Sequence, residues 1–371
     1  MLVAVVAIVG WAAPGHAAVV RTGPDDAATF NGAVRAIAYA GSVVYLGGEF
    51  TRATYAGKTY PRSRLAALDA RTGQLLGWAP HADNRVRGLV ATADSVFAVG
   101  DFGTVNGVRR DSLVRLDRGP GTVLRGFAHA IGGVPHAVAT GSGRLYLGGT
   151  ITTVDGVPRG RLVAFELGTG AVDGGWAPVA DGRVEALVAT PDRVYLGGDF
   201  HSVNGVHGSA RLAAVDPYAG GYDPTFRPAA SYVVHAVALS TDTVYAAQGG
   251  PGGRLTAYTG LGAARWTSTT DGDVQAVGVL GDTIYLGGHF DNVCRSARTG
   301  TTGSCLDGSD RRVKLAALDP VGTLLPWAPQ ANGIEGVFAL ATNGGLGKTA
   351  CGGTFTTIGG RPRARFAQFS G

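Results

Sequence analysis

Arg193–Phe200 reads RVYLGGDF, and four residues later comes the dipeptide Asn204-Gly205. The phrase returns as VVYLGGEF ending at Phe50, SVFAVGDF at Phe102, RLYLGGTI at Ile151, TIYLGGHF at Phe290 and TACGGTF at Phe355. A degraded copy, TVYAAQGG, ends at Gly250. Seven copies in 371 residues mark a repeat array, in which one supersecondary unit recurs and the chain length does not set the domain count.

The unit around Arg193 can be read outward. VEALVAT, from Val184, is one strand, Pro191-Asp192 turns the chain, and RVYLGGDF is the second strand. Asn204-Gly205 sits between valines, the strongest short hairpin signal, because a type I′ turn needs positive φ at both central residues. RLAAVD from Arg211 is a third strand, and the segment through Phe226 is a fourth. Four short strands in about 49 residues is the size of a propeller blade. The fourth-strand aromatic recurs as Phe30, Trp78, Phe127, Trp176, Phe226, Trp266 and Trp327. First strands are expected near Val34, Val86, Val134, Val184, Val234, Val274 and Ile334.

The chain enters on a fourth strand near Phe30 and leaves on a third, Arg365–Ser370. A linear array would expose two unpaired edges. The expectation is therefore an all-β, seven-bladed β-propeller of four-stranded blades, closed by the N-terminal strand completing the last blade, as one domain over 18–371. The paired glycines are read as sites of a bulge or of close packing on the neighbouring blade. The Phe and Trp positions are read as wedges of buried ring between blades.

Taken together, VYLGGDF, the VNG turn, RLAALD and GYDPTF resemble the delta-60 repeat of secreted bacterial proteins, from Thr29 to Gly371. The GGxF phrase is more distantly similar to the extracellular repeats of Rax2-type proteins. The resemblance implies a propeller and export, and it implies no common activity. Two units depart from the pattern. The fifth is shortened to QGGPGGRL, and the sixth carries an insertion, Asp291–Arg312.

Composition agrees with many short strands, with 61 glycines and no long amphipathic helical pattern. The net charge of +5 is spread over the repeats, which excludes the concentrated basic stripe of a nucleic-acid binder. Met1–Ala17 is uncharged with an apolar run from Leu2 to Ala13, followed by small residues around His16; this reads as a signal peptide cleaved at Ala17 or Ala18. The expected location is thus extracellular or at the cell surface, with no membrane span once that segment is removed, and the chain is expected to be a monomer. Cys294 and Cys305 share the insertion and are expected to form a disulfide, with Cys351 left as a buried thiol.

Chemistry is sparse. No G-x-S-x-G, H-E-x-x-H or C-x-x-C occurs, and Asn343–Thr349 fails as a phosphate loop because Thr342 stands where the first glycine is needed. Asp307-Gly308-Ser309-Asp310 lacks the later acidic ligand of a calcium loop. No cofactor is expected. What varies between repeats is the residue after the glycines: Glu49, Asp101, Thr150, Asp199, His289 and Thr354. With Arg35, Arg87, Glu185, His235, Gln275 and Glu335 near the starts of first strands, these are expected to ring one mouth of a central channel. Asp83, Asp181, Asp271 and Asp273 lie on the same rim and suit turn capping.

The reading is a binding or scaffold module for an extracellular protein or polysaccharide, using this rim and the sixth-unit loop. The alternative is a metal-assisted lyase or hydrolase acting on polysaccharide or peptide. It requires His235, His289 and nearby carboxylates to converge within ligand distance.

Overall fold

The computed structural model describes residues 19–371, so the expected signal peptide lies outside the described residues. The chain there is all β apart from one 3₁₀ turn, Gly344–Leu346, inside the hairpin that mimics a phosphate loop. Among the described residues no helix is long and apolar enough to cross a membrane.

Each repeat, counted along the chain, forms its own antiparallel sheet, and no sheet closes on itself. The first strands are Val34–Ala40, Val86–Ala91, Pro135–Gly141, Arg183–Ala189, Val234–Leu239, Val274–Leu280 and Val337–Asn343. Each packs against the first strand of the next repeat, and Val337–Asn343 packs against Val34–Ala40. The second strands, such as Val194–Asp199, lie between the first strands and third strands such as Leu212–Val215. Every hydrophobic cluster is shared by two successive repeats; the one holding Ala350 and Phe366 of repeat seven also holds Val34, Leu46 and Phe50 of repeat one. Strands buried on both faces explain the unbroken apolar runs YLGG and LAAL.

The two glycines of the phrase do different things. A Cβ on the first would lie 2.5–2.6 Å from the Cγ1 of the valine opening the next repeat: Gly47 on Val86, Gly148 on Val184, Gly197 on Val234, Gly287 on Val337 and Gly352 on Val34. Repeat two carries Val99 in this slot, and repeat three answers with Pro135 where the others have that valine. A Cβ on the second glycine would strike a carbonyl of its own first strand, as Gly198 would at 2.1 Å from Arg183 O. That contact lies at a register shift between Val184 and Ala186, a β-bulge repeated in the other sheets.

Aromatic side chains tie the repeats in one direction. Tyr45, Phe97, Tyr146, Tyr195, Tyr245 and Tyr285 stack on Trp78, Phe127, Trp176, Phe226, Trp266 and Trp327 of the same repeat, at 5.0–5.9 Å between ring centres. Trp78 and Trp176 donate their indole N–H to the carbonyls of Asp117 and Asp216 in the following repeat, at 2.8 and 3.0 Å. Tyr146 likewise donates its hydroxyl to Pro217 O at 2.7 Å.

Three expectations need correction. A full fourth strand forms only in repeat five, as Ala264–Thr270. In five repeats the outer segment is held by a single bridge, such as Leu68 with Leu75 or Val215 with Tyr222. The reason is local: Asp173 and Asp223 bend the chain by accepting from backbone N–H groups two residues on, and Pro178 and Pro228 follow without N–H groups to donate. Second, Phe30 is not the outer aromatic of the last sheet. It pairs with Ala53 and packs on Phe50 and Phe366. The outer segment of repeat seven comes from slightly earlier residues: Arg21 and Asp25 donate their N–H groups to Ser370 and Gln368. Third, the first strand of repeat seven begins at Val337, and Ile334 is 84% exposed.

The irregular repeats compensate each other. Asn292–Cys294 of the insertion pairs with Ser309–Arg311 and also bridges Thr270 on the outer strand of repeat five. Thr269 Oγ1 donates to Ser296 O at 2.7 Å, Thr299 Oγ1 to Pro251 O at 3.3 Å, and Gly303 backs directly onto Gly252. The insertion therefore lies beside the place where repeat five lacks a hairpin. Cys294 and Cys305 form the expected disulfide, and Cys351 is free and buried. Asp307 and Asp310 are engaged by Ser296, Arg298 and Arg295. The hairpin tips are type I′ as read, with φ of 51° and 72° at Asn204 and Gly205.

A Gly197→Ala substitution is expected to destabilise the fold by about 1–3 kcal/mol through overpacking. Val234→Ala should cost less in that background than in the parent chain; equal costs in urea denaturation would show that the two residues do not press on each other.

Where repeat seven meets the N-terminal segment, the Asp25 carboxylate accepts from Lys348 Nζ at 2.6 Å and Ser370 Oγ at 2.6 Å, with both charged side chains nearly buried. Burial pushes the Asp25 carboxyl up, but these donors more than offset it and hold it below the ordinary carboxylate value. Its stabilisation is complete above the free value of about 3.9 and is lost as pH falls through the lower folded value. Asp25→Ala should cost about 3–5 kcal/mol at neutral pH. The gap to the parent protein should close in acid; a pH-independent gap would rule out the charged pair as its source.

Candidate functional site

The bulged first strands project their second residues inward. Arg35, Arg87, His136, Glu185, His235, Gln275 and Phe338 line one cavity of about 270 Å³. It continues between the same strands past Ile37, Leu89 and Val237, which makes it a channel with a polar mouth above an apolar throat.

Of the residues that the sequence assigns to a channel rim, Arg87, Glu185 and His235 line this cavity, together with Arg35 and Gln275. Glu335 does not belong: it is exposed in the loop before Val337, and Phe338 takes the channel position. Two extra residues between Trp327 and Val337, compared with Trp176 to Val184, displace the register read from spacing alone. His136 was missed because the strand of repeat three starts on Pro135, one residue later than expected. Pairing that strand backwards from Gly149 would have found it, since Pro135 faces Gly149 as Val34 faces Gly48.

Glu49 and Asp101 stand behind the mouth and bind its arginines. Arg35 Nε lies 2.7 Å from Glu49 Oε1, Arg87 Nε lies 2.9 Å from Asp101 Oδ1, and Arg85 lies between the two carboxylates at 3.1 and 3.3 Å. Arg35 also stacks over Phe338, 4.3 Å from the ring centre. Asp199 and His289 are exposed on the outer rim. His289 lines a separate cavity of about 500 Å³ with Asp291 and Lys314. Asp83, Asp181 and Asp271 are turn caps: Asp181, for example, accepts from the backbone N–H groups of His201 and Ser202 and from Ser202 Oγ.

The variable residues are fixed by a feature that spacing did not reveal. The residue opening the RLAALD phrase lies in the left-handed region in every repeat but the fifth, with φ of 69° at Arg64, 72° at Arg161, 67° at Lys314 and 73° at Arg365. Such a conformation costs of order 1–3 kcal/mol away from glycine. It turns each cationic side chain back onto the carbonyl of the variable residue: Arg64 onto Glu49 O, Arg161 onto Thr150 O, Lys314 onto His289 O and Arg365 onto Thr354 O.

The other half of the mouth is built on Glu185. His235 Nδ1–H donates to its Oε2 at 2.7 Å, and Arg183 lies 2.6 Å from Oε1. Burial lowers the His235 basicity, but the Glu185 carboxylate, aided by Asp273, more than reverses this and leaves it above the ordinary histidine value. Burial raises Glu185 while His235 and Arg183 outweigh that and leave it low. His136 has no such carboxylate partner; burial and the neighbouring Arg87 and Arg183 hold it below the ordinary value.

Among the described residues no three His, Cys, Asp or Glu side chains converge as a metal donor set. His235 and His289 open into different cavities. The convergence required by the metal-assisted alternative is absent among the described residues.

No family model matches the chain, and comparison with curated proteins finds no significant relative. Solved structures do match. A chain of the mitotic checkpoint complex aligns over 100% of both chains with a TM-score of 0.61 at 14% identity. The WD40 β-propeller domain of Doa1 aligns over 94% of this chain and 96% of its own, with a TM-score of 0.59 at 10% identity. The computationally designed Ika8 protein covers 94% and 100%, with a TM-score of 0.52 at 16% identity. The fold is of the β-propeller class, and identities this low carry nothing further.

The Glu185–His235 pair stabilises the fold fully below the free histidine value of about 6.5 and loses that contribution as pH rises through the raised folded value. Glu185→Gln should move the His235 titration midpoint, followed by NMR, downward. An unmoved midpoint would assign the shift to another neighbour.

Proposed function

We propose that this chain is an exported, seven-bladed propeller of the delta-60 repeat type that acts as a binding or scaffold module through its channel mouth. The blade count is supported by the succession of first strands and by the packing of Val337–Asn343 on Val34–Ala40. The observation that carries the functional reading is a contrast between positions. Packing sites such as the glycines, the stacked aromatics and the LAAL strands are held nearly constant from repeat to repeat, while the seven mouth positions carry five different residue types. A slot with only a structural task has little reason to diverge on so regular a frame.

The partner suited to this mouth is polar and extracellular, a protein loop or a polysaccharide, because charged and amide groups dominate the entrance. The insertion of repeat six is chiefly a brace for repeat five, so it contributes to the contact surface only through its outer side, where Leu306 is 53% exposed. Export rests on the character of Met1–Ala17 and agrees with the disulfide.

Co-sedimentation of the purified protein with isolated cell-envelope material tests the reading. Retention should fall severalfold for Arg87→Ala and Glu185→Ala, and should be unchanged for the distant surface variant Val321→Ala. Equal retention of all three variants with unchanged thermal midpoints would remove the mouth from the function.

A further inference from the structure

Arg35 and Arg87 stand on first strands that pack side by side, and both side chains are held from behind. Each gives its Nε–H to a carboxylate, Arg35 to Glu49 at 2.7 Å and Arg87 to Asp101 at 2.9 Å. The terminal nitrogens of both guanidinium groups make no hydrogen bond among the described residues, and none of them is sealed from solvent. Both side chains line the channel-mouth cavity and are 26% exposed. The free end of each guanidinium is therefore a donor fork whose plane is already fixed.

The charges around these forks do not cancel. Arg85 lies between Glu49 and Asp101, so three arginines share two carboxylates. None of the three forms another ion pair among the described residues, and one positive charge is left over. Across the mouth, Glu185 is taken by Arg183 and His235, so it does not supply the missing counter-charge.

Forks of this kind match a carboxylate, whose two oxygens accept from paired N–H groups and whose single charge equals the surplus. A phosphate dianion would bring more charge than the cluster lacks and would meet Glu185 across the cavity. The remaining walls select the frame that carries the carboxylate. At the level of the mouth, His136, Glu185, His235 and Gln275 are polar, and the one apolar side chain, Phe338, lies under Arg35. Such walls serve hydroxyl groups, which both donate and accept, and offer no apolar bed to the aliphatic stem of a glutamate. We infer that the channel mouth binds a uronic acid residue of an acidic polysaccharide, its carboxylate held by the terminal nitrogens of Arg35 and Arg87. A cavity of about 270 Å³ lies just below the usual range of small-molecule sites, which suits one sugar residue rather than several. The inference rests on the channel-mouth reading above and selects polysaccharide from the two partners named there.

Calorimetric titration of the purified protein tests it, with glucuronate, galacturonate and mannuronate set against their neutral hexoses, Nα-acetyl-glutamate α-amide and inorganic phosphate. At least one uronate should bind at least about tenfold more tightly than its hexose, and more tightly than the glutamate derivative or phosphate. Arg35→Lys and Arg87→Lys keep the charge and remove the fork. Whichever of them retains the parent thermal midpoint should weaken binding of that uronate at least about tenfold. The absence of any gap between uronates and hexoses, or full binding by the lysine variants, would overturn the assignment. So would tightest binding of phosphate, or of the glutamate derivative, which would favour an acidic protein loop. If uronates fail while envelope retention still falls for Arg87→Ala, only this ligand falls; if retention is also unmoved, the channel-mouth reading falls with it.

Discussion

The contact between a bare glycine and the valine of the next repeat sets the spacing of the whole molecule. Each sheet can approach its neighbour only as closely as Val86, Val184, Val234, Val337 or Val34 allows, and the glycine gives up its side chain so that the valine can enter. Because interiors are packed as densely as organic crystals, a few tenths of an ångström at each interface would accumulate around the array. The exchange at Val99 and Pro135 shows that the sum matters more than the residue type. Where repeat two keeps a large side chain, repeat three presents a compact ring opposite.

The same economy governs the two irregular repeats. Repeat five has lost a hairpin and kept a full outer strand; repeat six has gained a disulfide-closed loop that pairs with that strand through Thr270 and Val293. Neither departure is intelligible alone. The loss in repeat five also leaves glycines at 249, 250, 252 and 253.

Much of the architecture was legible because repetition turns weak signals into strong ones. Asn-Gly between valines, the glycine pair and the aromatic wedge each have a local physical cause, and the structure realises each of them. The first-strand register in repeats three and seven was not legible. Pro135 hides where one strand starts, and two extra residues after Trp327 delay the other, so His136 and Phe338 were missed and Glu335 was included. The outer segments misled for another reason: an aromatic at fixed spacing marks a buried ring, not a ladder of hydrogen bonds. The site was legible only in part. The sequence located the variable residue, but not the left-handed Arg64, Arg161 and Arg365 that hold its backbone, since a strained φ leaves no mark in a periodic pattern. Nor could it show that Asp199 and His289 lie apart from His235.

Asp25 meets Lys348 and Ser370 across 323 and 345 positions of chain. Contacts of such separation form only after almost the whole intervening polypeptide has been gathered in, so they raise contact order and slow folding. The outer segment of the last sheet is therefore a late-fitting clasp. It precedes its hydrogen-bonding partners by more than 320 residues, so they leave the ribosome long after it. Until they join, Phe366–Ser370 has a bare edge, and the nascent protein carries its greatest risk of pairing with the wrong strand.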